Sequence, residues 1–438
     1  MHSDFVNVRQ RGFSERKPVK EALRIFFEKS NLKLLGIEEL EFDKSLNRVC
    51  AEDVLSKRDV PHFNRSAVDG YAVRAVETHG ASVNNPLLFR LKGSVEIGEN
   101  SELNVSEGEA VKVSTGSPLP KGADAVVMLE YTNRIDAELI EIYSPVTPWQ
   151  NVSRAGEDVK HGEVVIKKGE VIQPQHIGLL TATGNLKIKV YRKPVVAVIS
   201  TGDELIEPDQ EPEAGKIVDA NRFMLINSLL QLNAQPVDFG IVRDDYDSLK
   251  NALEKALKYD MVIFSGGTSV GTKDLLPEIM NAYCNPGILV HGLAIKPGMP
   301  AGLCSCDGKP VVLLPGFPVA AFVAFNLLIP PIIYRMMDME VNLSRFLPAG
   351  SVIRATAGRR ITSSAGIRSF TRVFLQKEGG LEGGFVAYPI RTSGSGIISS
   401  LVRADGIVEV QEGKEGYEKG EEVYVRLIRP YMVGDDEL

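Results

Sequence analysis

The chemistry in this chain gathers around acids that stand beside glycine or hydroxyl residues in its second half. Asp203 and Glu204 follow Thr201-Gly202, Asp244 and Asp245 follow Arg243, and Asp274 closes the run Ser265-Gly266-Gly267-Thr268-Ser269-Val270-Gly271 after two further residues. Lys296 opens a Lys-Pro-Gly triplet, and Pro315-Gly316-Phe317-Pro318 forms a stiff turn. Glycines let backbone amides approach an anion, and carboxylates nearby suit Mg²⁺, which takes oxygen ligands and bridges to substrate phosphates. Ser265, Gly266, Gly267, Ser269 and Gly271 therefore read as a ligand cradle, with Glu204 and Asp274 as the metal ligands. Asp244 and Asp219 read instead as helix N-caps, which acids supply routinely. Pro318 sits where a helix can begin, leaving the amides of Val319 and Ala320 to face an anion. A glycine pair alone marks a turn as readily as a site.

These residues need a scaffold that brings strand ends to one edge. Met261 to Phe264 is a short, continuously apolar, β-favouring run, as in a strand covered on both faces. VVAVIS, VDFGIV and VVLLPG repeat the pattern, separated by helical stretches, so residues 193–338 are expected to form a doubly wound parallel-sheet α/β domain. Upstream, residues 49–158 alternate strand-like pieces with Gly, Pro and Asn clusters and contain two polar islands, SAVDG and STGSPLPKG. This β-rich domain reads as an insertion into a helical linker domain of residues 1–48 and 159–192. There an amphipathic helix over 16–30 is expected to pack with one running from Pro174 to a stop at Gly184. Residues 339–438 carry short strands and Gly-rich turns, consistent with a small C-terminal β-barrel.

Composition excludes several classes. A net charge of -7 without a basic block argues against nucleic acid as a partner. The four cysteines form no CxxC and the six histidines show no zinc spacing. Cys304 and Cys306 share one face of a strand, in core packing. The N-terminus lacks a signal pattern and no apolar run reads as membrane length, so a cytoplasmic location is expected and no membrane partner.

Taken in order, FNRSAVDGYAV, VSTGSPLPKGADAVVMLE, AGEDVKHGE, ISTGDEL, GGTSVGTKD, AIKPGMP and LPGFPVAAFV resemble the MoeA family of molybdopterin molybdenumtransferases, to which the catalytic domain of gephyrin is similar. The series covers the chain from about Val19 to Leu427. The resemblance implies an elongated homodimer of four-domain subunits, with each site shared between subunits. It implies that adenylylated molybdopterin and molybdate are the substrates, and that AMP and molybdenum cofactor are the products. Family positions fall on Asp69, Asp158, Glu204, Asp274 and Lys296 as catalytic groups, and on Thr115, Pro315 and Pro318 in ligand binding. Molybdopterin adenylyltransferase and molybdoenzymes are the protein partners it suggests. Arg65 and Val68 depart from the usual residues around SAVDG. Arg154 and Arg368 each stand one place late, whereas Arg372 is in register. Arg372, Ser395, Ser399 and the amides after Pro318 are candidates for the oxyanion pocket. Two other readings are an adenylyltransferase acting one step earlier, and a non-enzymatic dimeric scaffold.

Overall fold

The computed structural model describes residues 16–99, 102–267, 275–341, 351–378, 383–390 and 395–430. The chain divides into two compact units, Ile37–Val190 and the remainder, Met1–Gly36 with Tyr191–Leu438.

In the Ile37–Val190 unit, a six-stranded sheet has the order Ala125–Met128, Gly70–Val73, Glu109–Val113, Leu87–Val95, Leu139–Ile142, Thr132–Arg134. Alternation along these strands buries Tyr71, Val73, Phe89, Val127, Ile140 and Ile142 in one apolar cluster. Pro174–Thr183 is a helix with proline in its first turn and Gly184 as a left-handed C-cap.

The other unit begins with α1 (Val19–Lys29), whose buried face is Val19, Ala22, Leu23 and Phe26. Its sheet is built from β1 (Val195–Thr201), β2 (Gln235–Val242), β3 (Met261–Ser265), β4 (Pro286–His291), β6 (Gly302–Cys306) and β7 (Lys309–Leu314), in the order β2-β1-β3-β7-β6-β4. Helices α2 (Asn221–Gln231), α3 (Tyr246–Ala256), α4 (Leu276–Tyr283) and α5 (Pro318–Met336) accompany it. Every residue of β3 is buried, as its unbroken apolar run requires.

Three features correct the sequence reading. The strands β2, β1, β3 and β7 are parallel, but β6 runs antiparallel to both its neighbours, β7 and β4. The cause is local: Asp307 (φ 52°) and Gly308 (φ 83°) make a two-residue hairpin between β6 and β7, too short for a parallel crossover. Second, the apolar face of α1 packs on β4, β6 and α5 of its own unit. Third, α5 is long and apolar enough to cross a membrane, yet 83% of its most apolar window is buried in the fold. Cys304 and Cys306 do lie in the core, as the strand pattern predicts.

The C-terminal strands β8 (Val352–Ala357), β9 (Arg368–Glu378), β10 (Gly384–Pro389), β11 (Gly406–Val410) and β12 (Glu422–Leu427) close on themselves as β9-β10-β8-β12-β11-β9. The barrel interior holds Ala355, Val373, Leu375, Val408, Val423 and Val425. Strand β5 (Ile295–Lys296) leaves the α/β sheet and pairs parallel with Arg368–Ser369 of β9, joining the barrel to the sheet within this unit.

Candidate active site at the sheet rim

In the Ile37–Val190 unit, the loops carrying SAVDG, STGSPLPKG and AGED converge through backbone hydrogen bonds. Ser66 N–H donates to Ser117 O (2.9 Å), Gly116 N–H to Ser66 O (2.8 Å), and Ala67 N–H to Asn151 O (2.9 Å). Asn64 Oδ1 accepts from Ala155 N–H (2.8 Å), and Asp158 N–H donates to Val60 O (3.1 Å). This brings Asp69 and Thr115 together: Asp69 Oδ1 accepts from the Thr115 amide (2.7 Å) and hydroxyl (3.0 Å). The Thr115 amide, then its hydroxyl, hold the exposed Asp69 carboxyl below its ordinary value. Arg154 stacks over the Trp149 ring, 4.6 Å from its centroid.

In the other unit, β1, β3 and β7 are parallel, so Thr201, Ser265 and Leu314 end on one edge. The loops are interlocked there. Gly266 has φ +100°, and a Cβ on it would lie 2.2 Å from Thr201 O, so only glycine fits without rearrangement. Its N–H donates to Leu314 O (3.0 Å), which removes it from the predicted anion cradle. Asn221, at the start of α2, reaches across both neighbouring loops: its Nδ2 donates to Ser265 Oγ (3.0 Å) and to Gly316 O (2.8 Å). This reach of Asn221 has no signature in sequence spacing.

A cavity of about 480 Å³ opens between these loops, lined by Thr201, Glu204, Asp219, Asn221, Ser265, Gly266, Gly267, Pro315, Gly316 and Pro318, among others. The Glu204 carboxylate folds over Gly202, with both oxygens 2.8 Å from where a Cβ would stand, and has no hydrogen bond or ion pair among the described residues. Asp219 behaves as the cap it was read to be: Oδ1 accepts from Arg222 N–H (3.2 Å), and Oδ2 lies 3.6 Å from Arg222 Nε. Asp245 caps α3 through Ser248 N–H (2.9 Å). Ser269, Gly271 and Asp274 lie outside the described residues.

A second cavity, of about 850 Å³, adjoins the first, sharing Pro300, Pro315 and Phe317 with it. Its lining is cationic: Arg16, Lys296, Arg359, Arg360 and Arg372, with Ser395 at the edge. Lys296 thus faces this space and not the one holding Glu204. Arg372 is 3% exposed, its Nε has no hydrogen-bond partner among the described residues, and burial pushes its guanidinium below the ordinary value. A buried cation without a carboxylate is costly until an anion arrives. Arg368, by contrast, is held by Glu409 and Glu412 and lines neither cavity.

Two candidates for the oxyanion pocket are corrected. Val319 N–H donates to Ser395 O (3.0 Å), so it is not open to an anion. Ser399 is exposed on a short helix, Ser399–Val402, and lines neither cavity. Among the described residues no cluster of His, Cys, Asp or Glu forms a ready metal cage. Mg²⁺ does not need one, because it commonly takes one or two carboxylates with waters and substrate phosphates, and the unpaired Glu204 fits that mode.

Residues 17–184 match the family model described as MoeA N-terminal region (domain I and II), 197–335 match "Probable molybdopterin binding domain", and 354–428 match MoeA C-terminal region (domain IV). A Methanocaldococcus jannaschii protein named for molybdopterin biosynthesis is 39% identical over 94% of this chain and 98% of its own length. The chain belongs to the MoeA family. A Staphylococcus aureus relative, named molybdopterin molybdenumtransferase, is 34% identical over 94% of this chain and 95% of its own. The crystal structure of a Pyrococcus horikoshii molybdopterin biosynthesis moeA protein superposes with a TM-score of 0.79 at 34% identity, covering 94% of this chain and all of that one (100%). Membership makes the chain an enzyme of molybdenum cofactor biosynthesis, in the molybdenum-inserting class. The adenylyltransferase and scaffold readings are not favoured. Asp69, Thr115 and Asp158 fall in the first matched region, Glu204, Lys296 and Pro315 in the second, and Arg372 and Ser395 in the third.

Proposed function

We propose that the chain binds adenylylated molybdopterin in the smaller cavity and molybdate in the larger, hydrolyses the adenylyl phosphoanhydride, and releases AMP as the metal enters the dithiolene. The reading is carried by the adjacency of two unlike cavities: among the described residues, one presents a carboxylate without a partner, Glu204, and the other a buried arginine without a counter-ion, Arg372. The smaller space suits a metal-bridged phosphate, and the larger suits an oxyanion, for which arginine offers a planar fork of donors. Mg²⁺ held by Glu204 would neutralise charge developing on the phosphate oxygens. In this reading Asp274 is its second ligand, and Ser269 and Gly271 bind the substrate together with Ser265 and Gly267. Lys296, at the larger cavity, meets anionic oxygens as a point charge. Ser395 and Arg372 hold the oxyanion; tungstate, of nearly the same size and charge, fits the same place.

Asp69, Asp158 and Thr115 supply the remaining polar groups from a second copy, so that a homodimer carries shared sites. The setting is the cytoplasm, with molybdopterin adenylyltransferase supplying the substrate and molybdoenzymes taking the product. The test is a product assay on purified protein given adenylylated molybdopterin, Mg²⁺ and molybdate. AMP release is expected, and Glu204→Gln should lower its rate on the order of 100-fold with the fold intact. Pyrophosphate release from ATP, or full activity in Glu204→Gln, would overturn the assignment.

A further inference from the structure

The lining of the smaller cavity includes Asn221, whose side-chain oxygen has no hydrogen-bond donor among the described residues. Asn221 is 7% exposed and its orientation is fixed, because the Gly316 carbonyl can only accept and so must face Nδ2. Nδ2 has two hydrogens and two acceptors, Ser265 Oγ and Gly316 O. Oδ1 is buried and has no donor among the described residues; Thr201 Oγ1, in the same lining, is likewise buried and unpartnered. An unpaired buried acceptor destabilises the empty site. A ligand N–H that meets it recovers that cost, and a ligand lacking the N–H does not.

We infer that Asn221 Oδ1 is a recognition group for the amino-bearing edge of the substrate's nitrogen heterocycle. The inference rests on the proposal that this cavity holds adenylylated molybdopterin, and it assigns Asn221 a direct contact with that ligand. Both rings of such a substrate, pterin and adenine, carry an exocyclic amine, so the shared chemistry is an N–H donor. Asn221 does two jobs through one amide. Its nitrogen ties the end of β3 to the loop after β7, and its oxygen reads what enters beside them.

Calorimetric titration of the wild-type protein separates the two rings. One arm compares AMP with purine riboside 5′-monophosphate, in which hydrogen replaces the 6-amino group. The other compares 6-hydroxymethylpterin with 6-hydroxymethyllumazine, in which a carbonyl replaces the 2-amino group. In one arm the amine is expected to tighten binding at least about tenfold, and Asn221→Ala should abolish the difference by weakening the amino ligand more than its analogue. Where Asn221→Ala does not fold, Asn221→Asp retains an oxygen acceptor and should keep the preference. Binding without preference in either arm, a preference that survives in folded Asn221→Ala, or one lost in folded Asn221→Asp overturns the inference while leaving the cavity's assignment standing. No binding of AMP or pterin at all overturns both.

Discussion

At Gly266 the backbone conformation and the space around it make the same demand. A side chain there would need an unfavourable φ and would collide with the Thr201 carbonyl. Gly266→Ala is therefore expected to destabilise the protein by at least about 2 kcal/mol in urea unfolding. Arg372 and Arg368 make a contrasting pair on one strand. Arg372→Ala should raise the molybdate concentration needed for half-maximal AMP release at least about tenfold, since a charged donor to the anion is lost. Arg368→Gln should lower thermal stability and leave molybdate dependence within about twofold, because its partners are Glu409 and Glu412. Asp69 should titrate below the ordinary carboxylate range in carbon-detected NMR of Asp-labelled protein. Thr115→Val should move it only part of the way back, since the amide donor, the larger cause, remains. The residue types at Glu204, Arg372 and Ser395 were legible in the sequence as candidates. The use of the Gly266 and Val319 amides by Leu314 and Ser395 was not, because those partners lie far along the chain and carry no pattern of their own.

Elements with a strong period were readable; those defined by their partners were not. The apolar runs within β1, β3 and β7 announce a doubly covered sheet, and the fold follows. Strand β5 is only Ile295–Lys296, and nothing in two residues tells that it pairs with β9 of the barrel. The Asp307-Gly308 dipeptide does carry a hairpin signal, and it sets β6 antiparallel to β7. At the start of β1, Asp260 accepts from Arg192 and from Val195 N–H (2.8 Å). Burial, the largest influence, raises its carboxyl; the Arg192 and Val195 hydrogen bonds and the Arg192 charge outweigh it, so the net shift is downward. A carboxyl depressed on folding stabilises the protein above its unfolded value, about 3.9, and loses that contribution as pH falls through the lower folded value. Asp260→Asn should therefore be less stable than wild type at pH 7, and the gap in urea midpoint should narrow at pH below about 4.

At the scale of the whole molecule, the candidate groups are divided between two units. Asp69 and Thr115 belong to Ile37–Val190, and Glu204, Lys296 and Arg372 belong to the remainder. If sites are shared in a homodimer, mixing Asp69→Ala and Glu204→Gln chains by co-unfolding and refolding should restore about a quarter of wild-type AMP release. Half of the dimers are then mixed, and each has one intact site. Activity no higher than that of either parent would place all the groups within one chain. More direct still is a crystal soaked with AMP, Mg²⁺ and tungstate, the heavier oxyanion being easy to locate. Tungstate should lie within hydrogen-bonding reach of Arg372 and Ser395 in the larger cavity, with the AMP phosphate beside Glu204 in the smaller. Tungstate bound away from Arg372, or AMP bound outside the loops of Thr201, Gly266 and Gly316, would contradict the two-cavity site.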